Sequence, residues 1–320
     1  MSEPFYRSFR QFLTERFGER VHRIALDGGF TCPNVDGTVT TGGCVYCDNR
    51  SFSPNRRLPR RSIREQMEHG MNLLRARYGT KKFLAYFQAG TNTHGPVEKL
   101  RRLYDEALAH PDIVGLMIGT RPDCLPEPVL DLITEYAHRC WVCLEIGLQS
   151  IHDRSLRWMN RGHDAACFVD AVQRSRGRGF DLCVHVILGL PGETPADMME
   201  TAEACAAMEL DAIKIHNLHV VRDTPLEEMY HRGEVPLPTL DEYIRWTCDF
   251  MERLPPAMVI HRLSGEAPRD YLVAPQWCRE KGAILRGIEN EFRRRGTRQG
   301  ARYRAGVFPR SFRTALPVLD

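Results

Sequence analysis

Apolar residues in this chain come in short unbroken runs, and stretches with a helical spacing of apolar positions separate them. The runs are Val21–Leu26, Phe83–Phe87, Ile113–Ile118, Trp141–Ile146, Leu182–Leu188 and Ala212–Leu218. Between them a helical period predicts helices near Ile63–Tyr78, Val97–Ala109, Pro128–His138, Ala165–Arg176 and Pro195–Met208. A further helix over Phe5–Phe17 opens the chain and stops at Gly18. After the first interval, strand starts recur about every 30 to 40 residues, the length of a βα unit. Unbroken apolar strands suit a parallel sheet covered on both faces. Six such units predict an α/β fold: an open, partial (β/α)6 barrel. From Thr239 onward the alternation breaks into a helix (Tyr243–Leu254), an apolar stretch (Met258–Leu263) and a helix (Glu280–Arg295), read as a small C-terminal α/β cap. The expected divisions are an N-terminal helix at 1–20, the barrel at 21–238, the cap at 239–295 and a basic tail at 296–320.

Composition narrows the picture only a little. The eleven cysteines are scattered and odd in number, which argues for free thiols in a reducing compartment. The start of the chain lacks an apolar signal segment, and no apolar run approaches about 18 residues. A cytoplasmic protein without a membrane partner is expected. Net charge is +3, but Arg293 to Arg313 holds eight arginines and no acid, leaving −5 elsewhere. That tail interleaves Tyr303, Phe308 and Phe312, and a second basic group (Arg56, Arg57, Arg60, Arg61, Arg64) lies nearer the front. Arginine grips phosphate and aromatic rings stack bases, so an RNA partner is expected, with the tail as the grip.

The chemistry-bearing residues fall just after the predicted strands, on the rim where parallel barrels build their sites. Most prominent is the loop Cys32-Pro-Asn-Val-Asp-Gly-Thr-Val-Thr-Thr-Gly-Gly-Cys44-Val-Tyr-Cys47. Three thiols gathered in one loop suit an iron–sulfur centre or zinc, and a closed zinc site would need a fourth ligand that no finger-like spacing supplies. Cys140 and Cys143 stand three apart on a strand, so they face opposite ways and do not form a ligand pair. The same argument separates His216 and His219 if their strand persists, leaving one to face a pocket. Cys124, Cys167, Cys183, Cys205, Cys248 and Cys278 read as small buried hydrophobes, with Cys278 a further candidate thiol. Glu145 inside an apolar strand demands either an ion pair or a pocket role. Thr194, Pro195 and Asp197 supply a helix start after the turn Gly189-Leu-Pro-Gly192.

The thiol loop, together with Leu144-Glu-Ile-Gly-Leu-Gln-Ser150, Asn160-Arg-Gly-His163 and Gly189-Leu-Pro-Gly192, resembles the radical S-adenosylmethionine (SAM) enzymes. The long first interval between thiols, Thr120-Arg-Pro-Asp123 and Val220-Val-Arg-Asp-Thr224 resemble the bacterial branch related to the catalytic subunit of Elongator. The likeness runs over roughly residues 20 to 265 and lacks Elongator's acetyltransferase part. It implies a [4Fe–4S] cluster on Cys32, Cys44 and Cys47, with SAM on the fourth iron and reductive cleavage to a 5′-deoxyadenosyl radical. It further implies SAM contacts from Gln88, Glu145, Gln149, Arg161 and His185, with His185 standing where relatives often carry a ribose-binding acid. An electron donor such as flavodoxin or ferredoxin is implied as a partner, and tRNA as the substrate, modified at the C5 substituent of the wobble uridine. The rival readings are a radical SAM enzyme for a small metabolite or peptide, and a non-catalytic RNA-binding protein with a structural metal site.

Overall fold

In the computed structural model, which describes residues 3–306, six parallel strands follow the predicted runs: β1 (Val21–Leu26), β2 (Lys82–Phe87), β3 (Ile113–Thr120), β4 (Trp141–Gln149), β5 (Asp181–Leu188) and β6 (Ala212–Asn217). A two-residue strand β7 (Val220–Val221), β8 (Val259–Arg262) and β9 (Leu272–Ala274) complete the set. The main sheet has seven strands in the order β1-β2-β3-β4-β5-β6-β8, all parallel. The stretch Met258–Leu263, expected in the cap, is therefore the last barrel strand. β7 and β9 pair antiparallel beside it.

Helices α1 (Phe9–Phe17), α2 (Asn49–Phe52), α3 (Ile63–Tyr78), α4 (Val97–Leu108), α5 (Glu127–Ala137) and α6 (Asp153–Trp158) belong to the first half. The second half holds α7 (Ala165–Ser175), α8 (Pro195–Ala207), α9 (Pro225–His231), α10 (Leu240–Met251) and α11 (Lys281–Arg295). Their starts are chemically explicit. Ser62 with Glu65, Thr194 with Asp197 and Thr239 with Glu242 form capping boxes at α3, α8 and α10.

Alternate strand residues separate into two cores. Phe83, Ala85, Leu116, Ile118, Leu144, Ile146, Val184, Ile213 and Ile260 meet the surrounding helices. Leu84, Tyr86, Met117, Trp141, Cys143, Cys183, Ala212 and Val259 turn inward and meet Phe9 and Leu13 of α1. The N-terminal helix thus plugs the barrel at the end opposite the loop rim. Cys140 packs with the outer core and Cys143 with the inner one, as strand geometry requires.

Among the described residues, the arginine-rich segment expected as a basic tail is held to the body of the protein as far as Arg302. Arg293–Arg295 are the last turn of α11, and Arg295 meets Asp249, Glu252 and Glu291. Arg298 pairs with Glu3, and Arg302 with Glu252. Gln299 bonds Arg7 and the carbonyls of Pro255 and Met258, just before β8, so residues 297–303 are stitched to the plugged end. Phe308, Arg310, Phe312 and Arg313 lie outside the described residues. Four of the eight arginines, Arg294, Arg295, Arg298 and Arg302, thus meet an acid in space.

Leu13 is 3% exposed in the inner core. Leu13→Ala should lower unfolding free energy by about 2–5 kcal/mol, the usual cost of such a cavity. Denaturant titration of the apo-protein, with an unchanged m-value, checks this.

Candidate metal centre

The loop after β1 is built by its own backbone. Val35 and Asp36 amides bond the Cys32 carbonyl at 2.7 and 3.0 Å, and the Cys47 amide bonds the Cys44 carbonyl at 2.9 Å. Gly42 and Gly43, at φ +81° and +75°, supply left-handed turns that a side chain would strain. The loop is then locked from across the barrel. Asn34 Nδ2 donates to the Asn160 and Arg161 carbonyls (2.6 and 2.7 Å), while Asn160 Nδ2 donates to those of Thr41 and Gly43 (3.0 and 2.8 Å). Gly162 makes the exchange possible, because a Cβ there would lie 2.3 Å from Asn34 Oδ1. The phrase Asn160-Arg-Gly-His163 is therefore the clamp on the thiol loop.

Cys32, Cys44 and Cys47 all line one cavity of about 610 Å³ at the rim. Desolvation and the neighbouring Cys44 and Cys32 sulfurs push the Cys47 thiol up to about 12. Three thiolates lining one cavity repel one another unless a cation sits among them. Soft sulfur donors with no fourth protein ligand in the loop fit an iron–sulfur cluster with one iron left for another ligand.

All five other predicted site residues line the same cavity, yet their geometry redistributes their roles. Gln149 sits on a β-bulge in the left-handed region (φ +74°), a strained conformation for a residue with a side chain. Its Oε1 is buried without a partner, which marks it as an acceptor awaiting a ligand. Gly147 admits the close approach: a Cβ there would fall 2.5 Å from Arg161 Nη2 and 2.7 Å from Gln149 Nε2. Arg161 spends much of its fork on the protein, donating to His163 Nε2 (2.9 Å), the Gly147 carbonyl (3.0 Å) and Cys44 Sγ (3.6 Å). Gln88 stands at the cavity wall.

Glu145 reaches the floor, but its carboxylate is committed. Oε2 meets Lys214 Nζ at 2.6 Å, and Oε1 faces His261 Nδ1 at 3.4 Å. Burial alone would raise its pKa, yet the Lys214 cation holds it well below the ordinary range. The ion-pair reading describes Glu145. His185 stacks edge-on against His216 at 4.0 Å, and burial keeps His185 neutral, lowering its pKa to about 3. Both Nε2 atoms lack partners. Because β6 ends at Asn217, His216 and His219 both line the cavity, where strand alternation predicted one. Cys278, met by Asn217 Nδ2 at 2.9 Å, is fully buried outside the cavity lining, and burial pushes its thiol up to about 12.

The residues not foreseen are Arg121, Lys214 and His261. Arg121 lies in the phrase Thr120-Arg-Pro-Asp123. Its Nε and Nη2 grip Asp123 at 2.9 and 2.7 Å, while Nη1 is buried and unpartnered. Its position directly after a strand was the available signal. Asn34→Ala leaves the Asn160 and Arg161 carbonyls without a donor, a cost of about 1–3 kcal/mol per buried group. Anaerobically reconstituted Asn34→Ala should hold less iron and sulfide than the wild type and lose them faster in air, as iron and sulfide assays measure.

The comparisons agree with this construction. The Radical SAM superfamily model matches residues 37–205, and the Radical_SAM C-terminal domain model matches residues 210–294. YtqA of Bacillus subtilis is 40% identical over 302 residues, covering 93% of each chain. Elongator complex protein 3 of Bos taurus is 26% identical over 48% of this chain, which spans only 28% of that protein. Among solved structures, archaeal Elp3 from Methanocaldococcus infernus shares the fold with a TM-score of 0.65 at 18% identity, over 87% of this chain and 64% of that one. The chain belongs to the radical SAM superfamily, whose cofactors are a [4Fe–4S] cluster and SAM, as an enzyme resembling Elp3.

Proposed function

We propose that this radical SAM enzyme modifies tRNA, at the C5 substituent of the wobble uridine. The observation that carries the reading is the Elp3-like barrel, with its long thiol loop, joined to an arginine–aromatic platform at the cavity mouth. Arg50 lines the cavity and is held by Asp48 and Asp223, and the guanidinium carbons of Arg50 and Arg57 each lie 5.8 Å from the centroid of the Tyr271 ring, which leaves Arg57 the freer cation of the two. Arg57, Arg60, Arg61 and Arg64, which follow in the chain, are exposed. Such a surface holds phosphates and stacks a base beside an opening. This front cluster, rather than the C-terminal arginines, is the RNA contact in this reading.

Within the cavity, Cys32, Cys44 and Cys47 would hold the cluster. When bound, the cluster and SAM supply the radical chemistry that the protein positions and shields. Arg121 Nη1 and Gln149 Oε1 are unpartnered buried atoms suited to the carboxylate and the amino group of the methionine end. Arg161 secures Cys44, with its remaining N–H groups available to the same carboxylate. Gln88 and His185 would line the nucleoside end. A reductant such as flavodoxin or ferredoxin completes the set of partners.

A strain lacking the gene should lose a C5-substituted uridine from its tRNA nucleosides, measured by mass spectrometry, and regain it on complementation. An unchanged nucleoside profile would overturn the tRNA reading. Replacing Arg57, Arg60 and Arg61 by Gln should weaken tRNA binding and flatten its salt dependence by about one charge per arginine removed. Binding assays across a salt series check this.

A further inference from the structure

Glu145 of the cavity floor also belongs to a cluster that extends beneath it, away from the thiol loop. The Cys143, Glu145 and His261 ligand atoms all lie within 4.8 Å of one another, fully enclosed by the barrel. Cys183 is Glu145's register partner on β5, and its sulfur is 3.6 Å from His261 Nδ1. We infer that Cys143, Glu145 and His261, joined by Cys183 from beside His261 as the fourth ligand, hold a zinc ion inside the barrel, separate from the thiol loop.

The geometry favours a metal over hydrogen bonds alone. His261 Nδ1 faces Glu145 Oε1 at 3.4 Å and Cys183 Sγ at 3.6 Å. One ring nitrogen has a single in-plane direction to give, and a charge-assisted N–H···O bond is about 2.7–2.9 Å long. Tetrahedral zinc, with bonds of about 2.0 Å to nitrogen or oxygen and 2.3 Å to sulfur, separates its ligand atoms by about 3.3–3.8 Å. Both observed separations fall there. The surroundings suit the ion as well. Lys214 Nζ holds the other oxygen of Glu145 at 2.6 Å, orienting the carboxylate as a supporting group should. Two thiolates and a carboxylate against a divalent ion leave one negative charge, and Lys214 cancels it. The Phe9 ring, 3.8 Å from that of His261, seals one side. A second cavity of about 400 Å³ at the plugged end is lined by His261 and provides an entry route.

With two thiols, one imidazole and one carboxylate there is no open coordination position, so the metal is structural and its preferred identity is zinc. It would tie β4 and β5 to β8 across the barrel interior.

The test separates this site from the thiol loop by removing the latter. The Cys32→Ala/Cys44→Ala/Cys47→Ala protein, purified without added metal, should carry about one zinc per chain by elemental analysis. Grown with cobalt, it should show a thiolate-to-cobalt charge-transfer band. Adding Cys143→Ser, Cys183→Ser or His261→Gln should remove the metal and the band. A folded triple variant holding less than about a tenth of an equivalent of zinc and taking up no cobalt overturns the proposal. So does zinc that persists after Cys143→Ser with Cys183→Ser. Where the added substitutions prevent folding, chelation decides on the triple variant alone: zinc removal should lower Tm and zinc return should restore it, whereas an unmoved Tm overturns the site. If the triple variant itself fails to fold, the zinc count on anaerobically reconstituted wild type, whose thiol loop is filled by iron, decides in the same way.

Discussion

The ion pair between Glu145 and Lys214 sets the height at which the barrel interior changes character. Below it the inward side chains are mostly apolar, with Cys143, Cys183 and His261 among them, and close on α1. Above it lies the cavity with the three thiols. The pair is 2.6 Å long and both side chains are almost wholly buried. Removing one partner of such a pair typically costs about 3–5 kcal/mol, because the other charge is left without water or counter-ion. Tyr86 also receives a bond from Lys214, at 2.6 Å, which ties β2 to β6 across the interior. A floor held by charges resists the collapse that an all-apolar interior would undergo, and so keeps the space above it open.

Rigidity at the rim comes from a different source. The thiol loop has little regular structure of its own, and its hydrogen bonds are made by asparagine amides to backbone carbonyls on both sides of the cavity. The Leu226 amide adds a bond to the Val45 carbonyl at 2.9 Å, so α9 also braces the loop. Gly147 and Gly162 let polar groups approach at distances a side chain would forbid. Function then depends on small residues and amides that carry no chemistry themselves. Strain at Gln149 fits the same pattern: the bulge costs local energy and turns an amide into the cavity.

Electrostatics was where linear reading misled most. Eight arginines without an acid look like an unneutralised arm. In space, Asp249 and Glu252 at the end of α10, Glu3 near the start of the chain and Glu291 of α11 itself meet four of them (Arg294, Arg295, Arg298 and Arg302). Of the front arginines, Arg56 lines the opening and pairs with Asp27, while Arg57, Arg60, Arg61 and Arg64 are exposed. Sequence distance and charge compensation are unrelated once the chain closes on itself, since ion pairs depend on separation in space.

By itself the sequence determined the alternation of strand and helix, the placement of chemistry after the strands, and the three thiols with no fourth partner. Each rests on local patterning: apolar runs of strand length, capping residues, and ligand spacing within one loop. The tertiary structure alone decided that Met258–Leu263 joins the sheet, because a strand's neighbour is chosen by the edge left open after β6. It alone showed that Glu145 spends its carboxylate on Lys214, that Arg161 serves Cys44 while Arg121 keeps an unpaired nitrogen, and that His261 reaches the cysteines of β4 and β5. These are contacts between residues more than thirty positions apart, apart from the Arg121 nitrogen, whose lack of a partner only the folded surroundings establish. Register, bulges and the closing of the barrel fix such meetings, and no local pattern in the chain encodes them.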